Sequence, residues 1–146
     1  RISKVGGKGD VDLIAEQIRI GLGEPLGYSQ NDITFEGLGI EYRLIAEDPD
    51  NNFTPWVGRI ERFGWKEQPW LTMLTHVPTT EAYEIPTEFD PNLALAIIWG
   101  KDLEEAKARG LEFLRDLRLE GHNTAGEELK SNVNFLAANT ERILRF

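Results

Sequence analysis

The spacing of hydrophobic residues predicts three helices. In the segment DVDLIAEQIRIGLGEP, which begins at Asp10, apolar residues recur every three or four positions, Asp10 can cap the helix, and Gly23 ends it. Asp102 and Glu105 stand at capping-box spacing before a second apolar series, which predicts a helix of about four turns. A last helix is predicted to begin near residues 131–132.

Between the first two helices the hydrophobic period changes to two, which indicates strands. Ile33 and Phe35 alternate, a turn is predicted at the glycines 37 and 39, and the alternation then resumes from Ile40. We therefore expect a hairpin. Its second strand, Ile40–Ile45, carries Glu41, Arg43 and Ile45 on the face opposite Ile40, Tyr42 and Leu44.

Three further apolar segments are predicted as strands, at Arg59–Phe63, Leu71–Val77 and Leu93–Trp99. The polar run HNTAGEELK after Gly121 is predicted as a loop. Because the strands cluster in the middle without strict βαβ alternation, the order of elements indicates an α+β fold, a small antiparallel sheet flanked by helices. The length of 146 residues suits one domain over residues 1–146.

Composition narrows the classes of function. The formal net charge of -9, from 16 basic and 25 acidic side chains, disfavours nucleic acid as a partner. The absence of cysteine excludes thiolate catalysis and cysteine-ligated metal, and no apolar stretch is long enough to span a membrane. His76 and His122 lack partners at metal-ligand spacing, so we predict no metal site in this chain.

Arg43 is the charged residue with the least expected position, because it lies in the middle of an otherwise apolar strand. Taken by themselves, Glu41 and Arg43 are interpreted as the solvent face of an amphipathic strand. The other carboxylates fall at positions typical of solvated helix faces. Residue spacing alone leaves the activity open.

Four segments, taken in order, resemble the C-terminal domain of biotin carboxylase, the ATP-grasp enzyme of acetyl-CoA, propionyl-CoA and pyruvate carboxylases. VDLIAEQIRIGLGEPLGYSQNDI resembles the helix and turn that follow the family's Arg-x-Gln-Val-Glu-His segment. IEYRLIAEDPDNNFTPWVGRI resembles its E-x-R-x-x-A-E-D-P strand and loop. YEIPTEFDPNLALAIIWGKDLEEA resembles its Ile-Pro-x-x-Asp strand and next helix, and LEGHNTAGEELKSNVNFL resembles its closing E-G-x-x-T-N-x-x-F-L segment.

The resemblance implies a catalytic role for Arg43, which falls on the family's arginine that contacts the ureido group of biotin. A guanidinium is permanently charged and carries forked donors, so it can stabilise negative charge on the ureido oxygen. Asp90 matches an aspartate close to that arginine, and either orients it or has a turn role before Pro91. Glu41, beside Arg43 on the same face, is a second candidate for substrate binding, whereas Glu47 and Asp48 are expected to set the turn after the strand.

The implied cofactors are biotin on a carrier protein, and ATP with Mg²⁺ bound by an ATP-grasp domain upstream of Arg1. The chain begins without an initiator methionine, its only Met being Met73, so we expect a fragment of a longer polypeptide that is inactive alone. The implied partners are that domain, the biotin carboxyl carrier protein, a carboxyltransferase and a second copy of the chain. The expected setting is cytoplasmic, with fatty acid metabolism as the role where acetyl-CoA is the acceptor.

This chain departs from the family at three positions near the expected site. Ile45 stands where the family usually has Asn, Pro91 where it has Ser, and Leu95 where it often has Lys. The polar network around biotin is therefore expected to be thinner than usual. Two readings stay open: part of an active ATP-dependent ligase, or a non-catalytic assembly module derived from this fold.

Overall fold

The structure is a computed structural model that describes residues 4–5, 11–87 and 91–143. The chain divides into two compact units, residues 1–38 and residues 39–146. The first unit contains strand β1 (Lys4–Val5), helix α1 (Leu13–Gly21) and strand β2 (Ile33–Thr34). The assignment of residues 1–146 to a single domain stays a prediction.

The start of α1 corrects one sequence-based prediction. The capping residue is Asp12, whose Oδ1 accepts hydrogen bonds from the N–H groups of Ile14 at 3.1 Å and Ala15 at 3.0 Å. Asp10, the predicted cap, lies outside the described residues. Two aspartates with the same capping chemistry stand before this helix, and apolar spacing does not distinguish between them.

The predicted hairpin between residues 33–35 and 40–45 is wrong. β2 pairs antiparallel with β1, with Val5 opposite Ile33. Gly37 adopts a left-handed conformation with φ of 64°, and the following strand joins a different sheet. The alternation holds in β3, whereas β2 ends at Thr34 and Phe35 is 74% exposed. Alternation identifies the faces of a strand and not its partner.

The described residues of the second unit form eight strands and two α-helices. The strands run in the order β3 (Leu38–Ile45), β4 (Glu47–Asp48), β5 (Thr54–Pro55), β6 (Arg59–Gly64), β7 (Leu71–Thr75), β8 (Tyr83–Glu84), β9 (Asn92–Gly100) and β10 (Arg118–His122). Helix α2 (Leu103–Asp116) lies between β9 and β10, and helix α3 (Val133–Ile143) follows β10. The strands form sheets ordered β3-β9-β7 and β10-β6-β8, with β4 paired to β5. Small antiparallel sheets with helices confirm the α+β class.

The core of this unit is formed by the apolar faces of its strands. Leu44, Ile60, Leu93 and Ile98 are the largest side chains that are fully buried. Helix α2 packs through Ala106, Gly110 and Phe113, among others. A Cβ atom at Gly110 would overlap the ring of Tyr42, so the helix approaches β3 at a residue without a side chain.

Both helix predictions in this unit are confirmed. Asp102 Oδ1 accepts from the N–H of Glu105 at 2.9 Å, and Glu105 Oε2 accepts from the N–H of Lys101 at 2.7 Å. Helix α3 begins at Val133, directly after the predicted start near residues 131–132. Strand β10 was not predicted, although Leu119 alternates with exposed Arg118 and Glu120. That alternation extends over too few residues to stand out beside the end of α2.

Candidate functional site

Arg43 lies on the exposed face of β3, as the sequence predicted. Tyr42 and Leu44, its neighbours in the strand, are buried, with 4% and 0% of their surfaces exposed. The side chains of Arg43 and Glu41 keep 70% and 41% of their surfaces exposed. Strand alternation therefore divides β3 into a core face and a charged face.

Neighbouring strands extend this face across the sheet. A Cβ atom on Gly39 would lie 3.7 Å from Cγ2 of Ile97, which places Gly39 and Ile97 on the same side. Alternation then places Arg43 and Leu95 on that side as well. Thr72 and Leu74 of β7 lie directly opposite residues 97 and 95. We call this surface the open face; it comprises Glu41, Arg43, Thr72, Leu74, Leu95 and Ile97.

The open face combines one ion pair with an apolar strip. Nε of Arg43 donates to Oε1 of Glu41 at 2.8 Å, so the two predicted site residues contact each other. Leu74 is 52% exposed, while Leu95 and Ile97 are half-buried. The Nε–H is only one of the guanidinium donors, and the forked geometry of the group suits an electron-rich oxygen.

The backbone of β3 at Arg43 is held by Asn132, a residue that sequence reasoning did not single out. Its Nδ2 donates to the carbonyl of Arg43 at 2.9 Å, and its Oδ1 accepts from the N–H of Ile45 at 3.0 Å. The sequence carried two signals: its place just before the last helix, and its match to the Asn of the family's closing E-G-x-x-T-N-x-x-F-L segment. Contacts between residues so far apart along the chain cannot be inferred from local spacing.

Glu47 and Asp48, which follow the strand, contact protein groups. Burial raises the pKa of the Glu47 carboxyl, and a hydrogen bond from Asn132 opposes that rise. A hydrogen bond from Lys130 holds the pKa of the Asp48 carboxyl below its usual value. Oδ1 of Asp48 also accepts from the N–H of Asp50 at 3.1 Å, which is the turn-setting role that the sequence predicted.

Asp90, the remaining predicted site residue, lies outside the described residues. Pro91 accepts a hydrogen bond through its carbonyl from the N–H of Ala46 at 3.1 Å, so Pro91 lies beside the end of β3. Ile45 and Leu95, the other two departures from the family pattern, are half-buried.

Two clefts in the described part of the chain are lined by residues other than Arg43. One cleft of about 470 Å³ is lined by Asp48, Lys130 and Phe135, among others, and another of about 670 Å³ by residues including Trp65 and Arg118. Residues 11–87 and 91–143 contain no group of three His, Cys, Asp or Glu that could hold a metal ion. Over the same residues, no helix has the length and apolarity to cross a bilayer.

Known proteins identify the family. A family model described as the biotin carboxylase C-terminal domain matches residues 41–142. Biotin carboxylase from Nostoc sp. is 36% identical over 132 residues, which are 88% of this chain and 29% of that protein. The mitochondrial methylcrotonoyl-CoA carboxylase subunit alpha of Mus musculus is 35% identical over 127 residues, 86% of this chain and 16% of that subunit.

Solved structures agree with these relatives. The biotin carboxylase domain dimer of Hydrogenobacter thermophilus 2-oxoglutarate carboxylase, in complex with MgADP, ADP and bicarbonate, superposes with a TM-score of 0.76 at 33% identity, covering 90% of this chain and 27% of that one. The biotin carboxylase subunit of a pyruvate carboxylase gives a TM-score of 0.75 at 29% identity, covering 94% and 28%. The chain thus spans less than a third of the length of these proteins. It belongs to the biotin carboxylase C-terminal domain family.

Proposed function

We propose that this chain is the C-terminal part of a biotin carboxylase, and that Arg43 contacts the ureido group of carrier-bound biotin during its ATP-dependent carboxylation by bicarbonate. The observation that carries this proposal is the position of Arg43. Its guanidinium stands on an exposed sheet face, next to Glu41, while its backbone is hydrogen-bonded to Asn132.

The donor set of Arg43 fits the ureido group of biotin. When biotin is bound, its ureido nitrogen supplies the nucleophile that accepts the carboxyl group. Arg43 donates hydrogen bonds to the ureido oxygen, where negative charge accumulates, and needs no proton transfer of its own because the guanidinium stays charged. By analogy with oxyanion donors, its loss costs about 2.7–4 kcal/mol of transition-state stabilisation.

The remaining chemistry belongs to other parts of the complete enzyme. ATP, Mg²⁺ and bicarbonate are bound by an ATP-grasp domain of the same polypeptide, and biotin arrives on its carrier protein. A carboxyltransferase and a second copy of the chain complete the assembly. A structural relative that is a biotin carboxylase domain dimer with MgADP and bicarbonate supports the second copy and the nucleotide and bicarbonate sites of this proposal. The predicted setting is cytoplasmic, although plant relatives are chloroplastic and mammalian relatives are mitochondrial.

A non-catalytic assembly module is the second candidate. The apolar strip Leu74, Leu95 and Ile97 beside Arg43 favours it, because exposed apolar patches are typical of interaction surfaces. In that case the open face binds another protein and Arg43 has no part in turnover.

Biotin-dependent ATP cleavage by the complete carboxylase polypeptide separates the two candidates. Arg43→Ala is expected to lower turnover by roughly 100- to 1,000-fold, and Arg43→Lys is expected to recover only part of it because the forked donors are lost. Arg62→Ala is the matched control: Arg62 is also a mid-strand arginine, 72% exposed and paired with Glu120 at 3.4 Å. Turnover of Arg43→Ala equal to that of the control would remove Arg43 from the mechanism.

A further inference from the structure

We infer that Asn132 is a positioning residue for Arg43: its side-chain amide fixes the backbone between the carbonyl of Arg43 and the N–H of Ile45, and thereby sets the place from which the guanidinium extends. This inference rests on the proposed function of Arg43. Asn132 does not lie on the open face, so it acts through the strand and not through contact with biotin.

Asn132 behaves like one residue of an additional strand beside β3. Besides its side-chain bonds to the carbonyl of Arg43 and the N–H of Ile45, its backbone N–H donates to the carbonyl of Ile45 at 3.1 Å. Three successive hydrogen-bonding groups of β3 are therefore satisfied by a single residue. This pattern reproduces the pairing that a neighbouring strand would supply.

The position of β3 in its sheet explains why this pairing matters. β3 is an edge strand in the order β3-β9-β7, with β9 on one side. Among the described residues, no strand of that sheet lies on its other side, so the N–H and C=O groups there need other partners. Asn132 supplies hydrogen bonds on that side of β3, at Arg43 and Ile45. Displacement of a reacting group by about 1 Å can reduce turnover by about 100-fold.

The local setting makes Asn132 well suited to this task. It is 5% exposed, so its hydrogen bonds form away from competing water. Its carbonyl accepts from the N–H of Leu136 at 2.9 Å, which ties it to the first turn of α3. A residue at this place ordinarily turns its side chain toward the helix N–H groups, whereas here Oδ1 accepts from Ile45 of β3.

The amide must be both donor and acceptor, which makes isosteric replacement informative. Asn132→Asp keeps an oxygen that accepts from the Ile45 N–H. Its second oxygen faces the Arg43 carbonyl, and an ionised carboxylate has no proton to donate to that carbonyl. Asn132→Ala removes these two side-chain bonds and the hydrogen bond to the Glu47 carboxyl, and it leaves the backbone bond to Ile45. Both variants are therefore expected to loosen the strand at Arg43.

The test uses the complete carboxylase polypeptide, with free biotin as substrate, and measures kcat and KM for biotin and for ATP. Asn132→Ala and Asn132→Asp are each expected to lower biotin-dependent turnover by roughly 10- to 100-fold, with KM for ATP unchanged. Asn123→Ala is the matched control, because Asn123 Oδ1 accepts from the N–H groups of Ala125 and Glu127, both at 2.9 Å, in a loop after β10. The control is expected to lower the unfolding temperature while leaving turnover per folded molecule unchanged.

A double variant of Asn132→Ala and Arg43→Ala shows whether Asn132 acts through Arg43 or stabilises the fold in general. If Asn132 acts through Arg43, adding Asn132→Ala to Arg43→Ala lowers turnover by no more than about twofold further, since nothing is left to aim. Multiplication of the two separate losses in the double variant would overturn the inference. So would normal turnover of Asn132→Asp where Arg43→Ala is impaired. Normal turnover of Arg43→Ala itself would instead overturn the proposed function, and the inference with it.

Discussion

Nε of Arg43 donates to Oε1 of Glu41 across 2.8 Å on a surface where both side chains are largely exposed. An ion pair in this setting stabilises a fold by only about 0–1 kcal/mol, because water and salt screen it. The side chain of Arg43 can therefore leave Glu41 for another acceptor at small cost. Its backbone, in contrast, is held by buried Asn132, so the strand is fixed while the guanidinium can be redirected.

Removal of the Arg43 side chain should hardly change stability. Arg43→Ala is expected to shift the free energy of unfolding by less than about 1 kcal/mol, because the lost pair is exposed. Urea denaturation of this variant and of Arg62→Ala should give similar midpoints. A loss above about 2 kcal/mol would show that Arg43 supports the fold, and a loss of turnover could then no longer be assigned to chemistry.

Close packing of α2 on β3 should make Gly110 intolerant of substitution. Alanine normally favours a helix over glycine by about 1 kcal/mol, but a Cβ atom at Gly110 would overlap the Tyr42 ring. Gly110→Ala is therefore expected to destabilise the chain by about 1–3 kcal/mol, as overpacking does. Gly21→Ala is the control, since a Cβ there meets no atom within 4 Å. Equal unfolding temperatures for the two variants would contradict the packing described.

The ion pair between Lys130 and Asp48 should make stability depend on pH in acid. The hydrogen bond from Lys130 lowers the pKa of Asp48 in the folded chain. Folding is therefore favoured by the ionised carboxylate at pH values above the unfolded pKa of about 3.9, and this contribution is lost as the pH falls through the lower, folded value.

Acid unfolding monitored by circular dichroism tests this dependence. Asp48→Asn should flatten the loss of stability below about pH 4. Lys130→Met should flatten it less, because the N–H of Asp50 still holds the pKa of Asp48 down, and the double variant should match Asp48→Asn. An unchanged acid profile in both single variants would mean that other carboxylates dominate the acid unfolding.

Local sequence rules predicted the parts of this fold that depend on neighbouring residues. The cap of α2 by Asp102 and the two faces of β3 follow from spacing and alternation, and both are found. The exposed position of Arg43 was therefore predictable before any family resemblance was considered. The proposed contact of Arg43 with biotin was not predictable in this way, because alternating apolar and charged residues ordinarily indicate a solvent-exposed strand face.

Features that depend on distant parts of the chain could not be predicted. The pairing of β2 with β1 and the bonds from Asn132 to β3 join residues whose proximity is decided by the whole fold. Alternation is the same whichever strand lies alongside. The amide of Asn132 gives no sign in the sequence of whether it caps its helix or reaches another element.

Leu95 offers a test of whether the open face serves catalysis or assembly. It lies directly opposite Leu74 of β7 and is half-buried, so a lysine there can keep its aliphatic part on the sheet and place its ammonium in water. If the open face serves catalysis, Leu95→Lys restores the residue type frequent in the family. Biotin-dependent turnover of the complete polypeptide is then expected to equal or exceed that of the parent.

Thr72→Lys is the matched control. Thr72 lies on the same face, opposite Ile97, and a lysine there adds the same charge without removing an apolar side chain. Sedimentation velocity run in parallel reports the oligomeric state of each variant. Two results together would favour the assembly module. The first is that Leu95→Lys loses self-association while Thr72→Lys keeps it, and the second is that Arg43→Ala and its control Arg62→Ala have equal turnover. Retained association with intact turnover would agree with a catalytic face, because the apolar strip would then be dispensable for holding partners together.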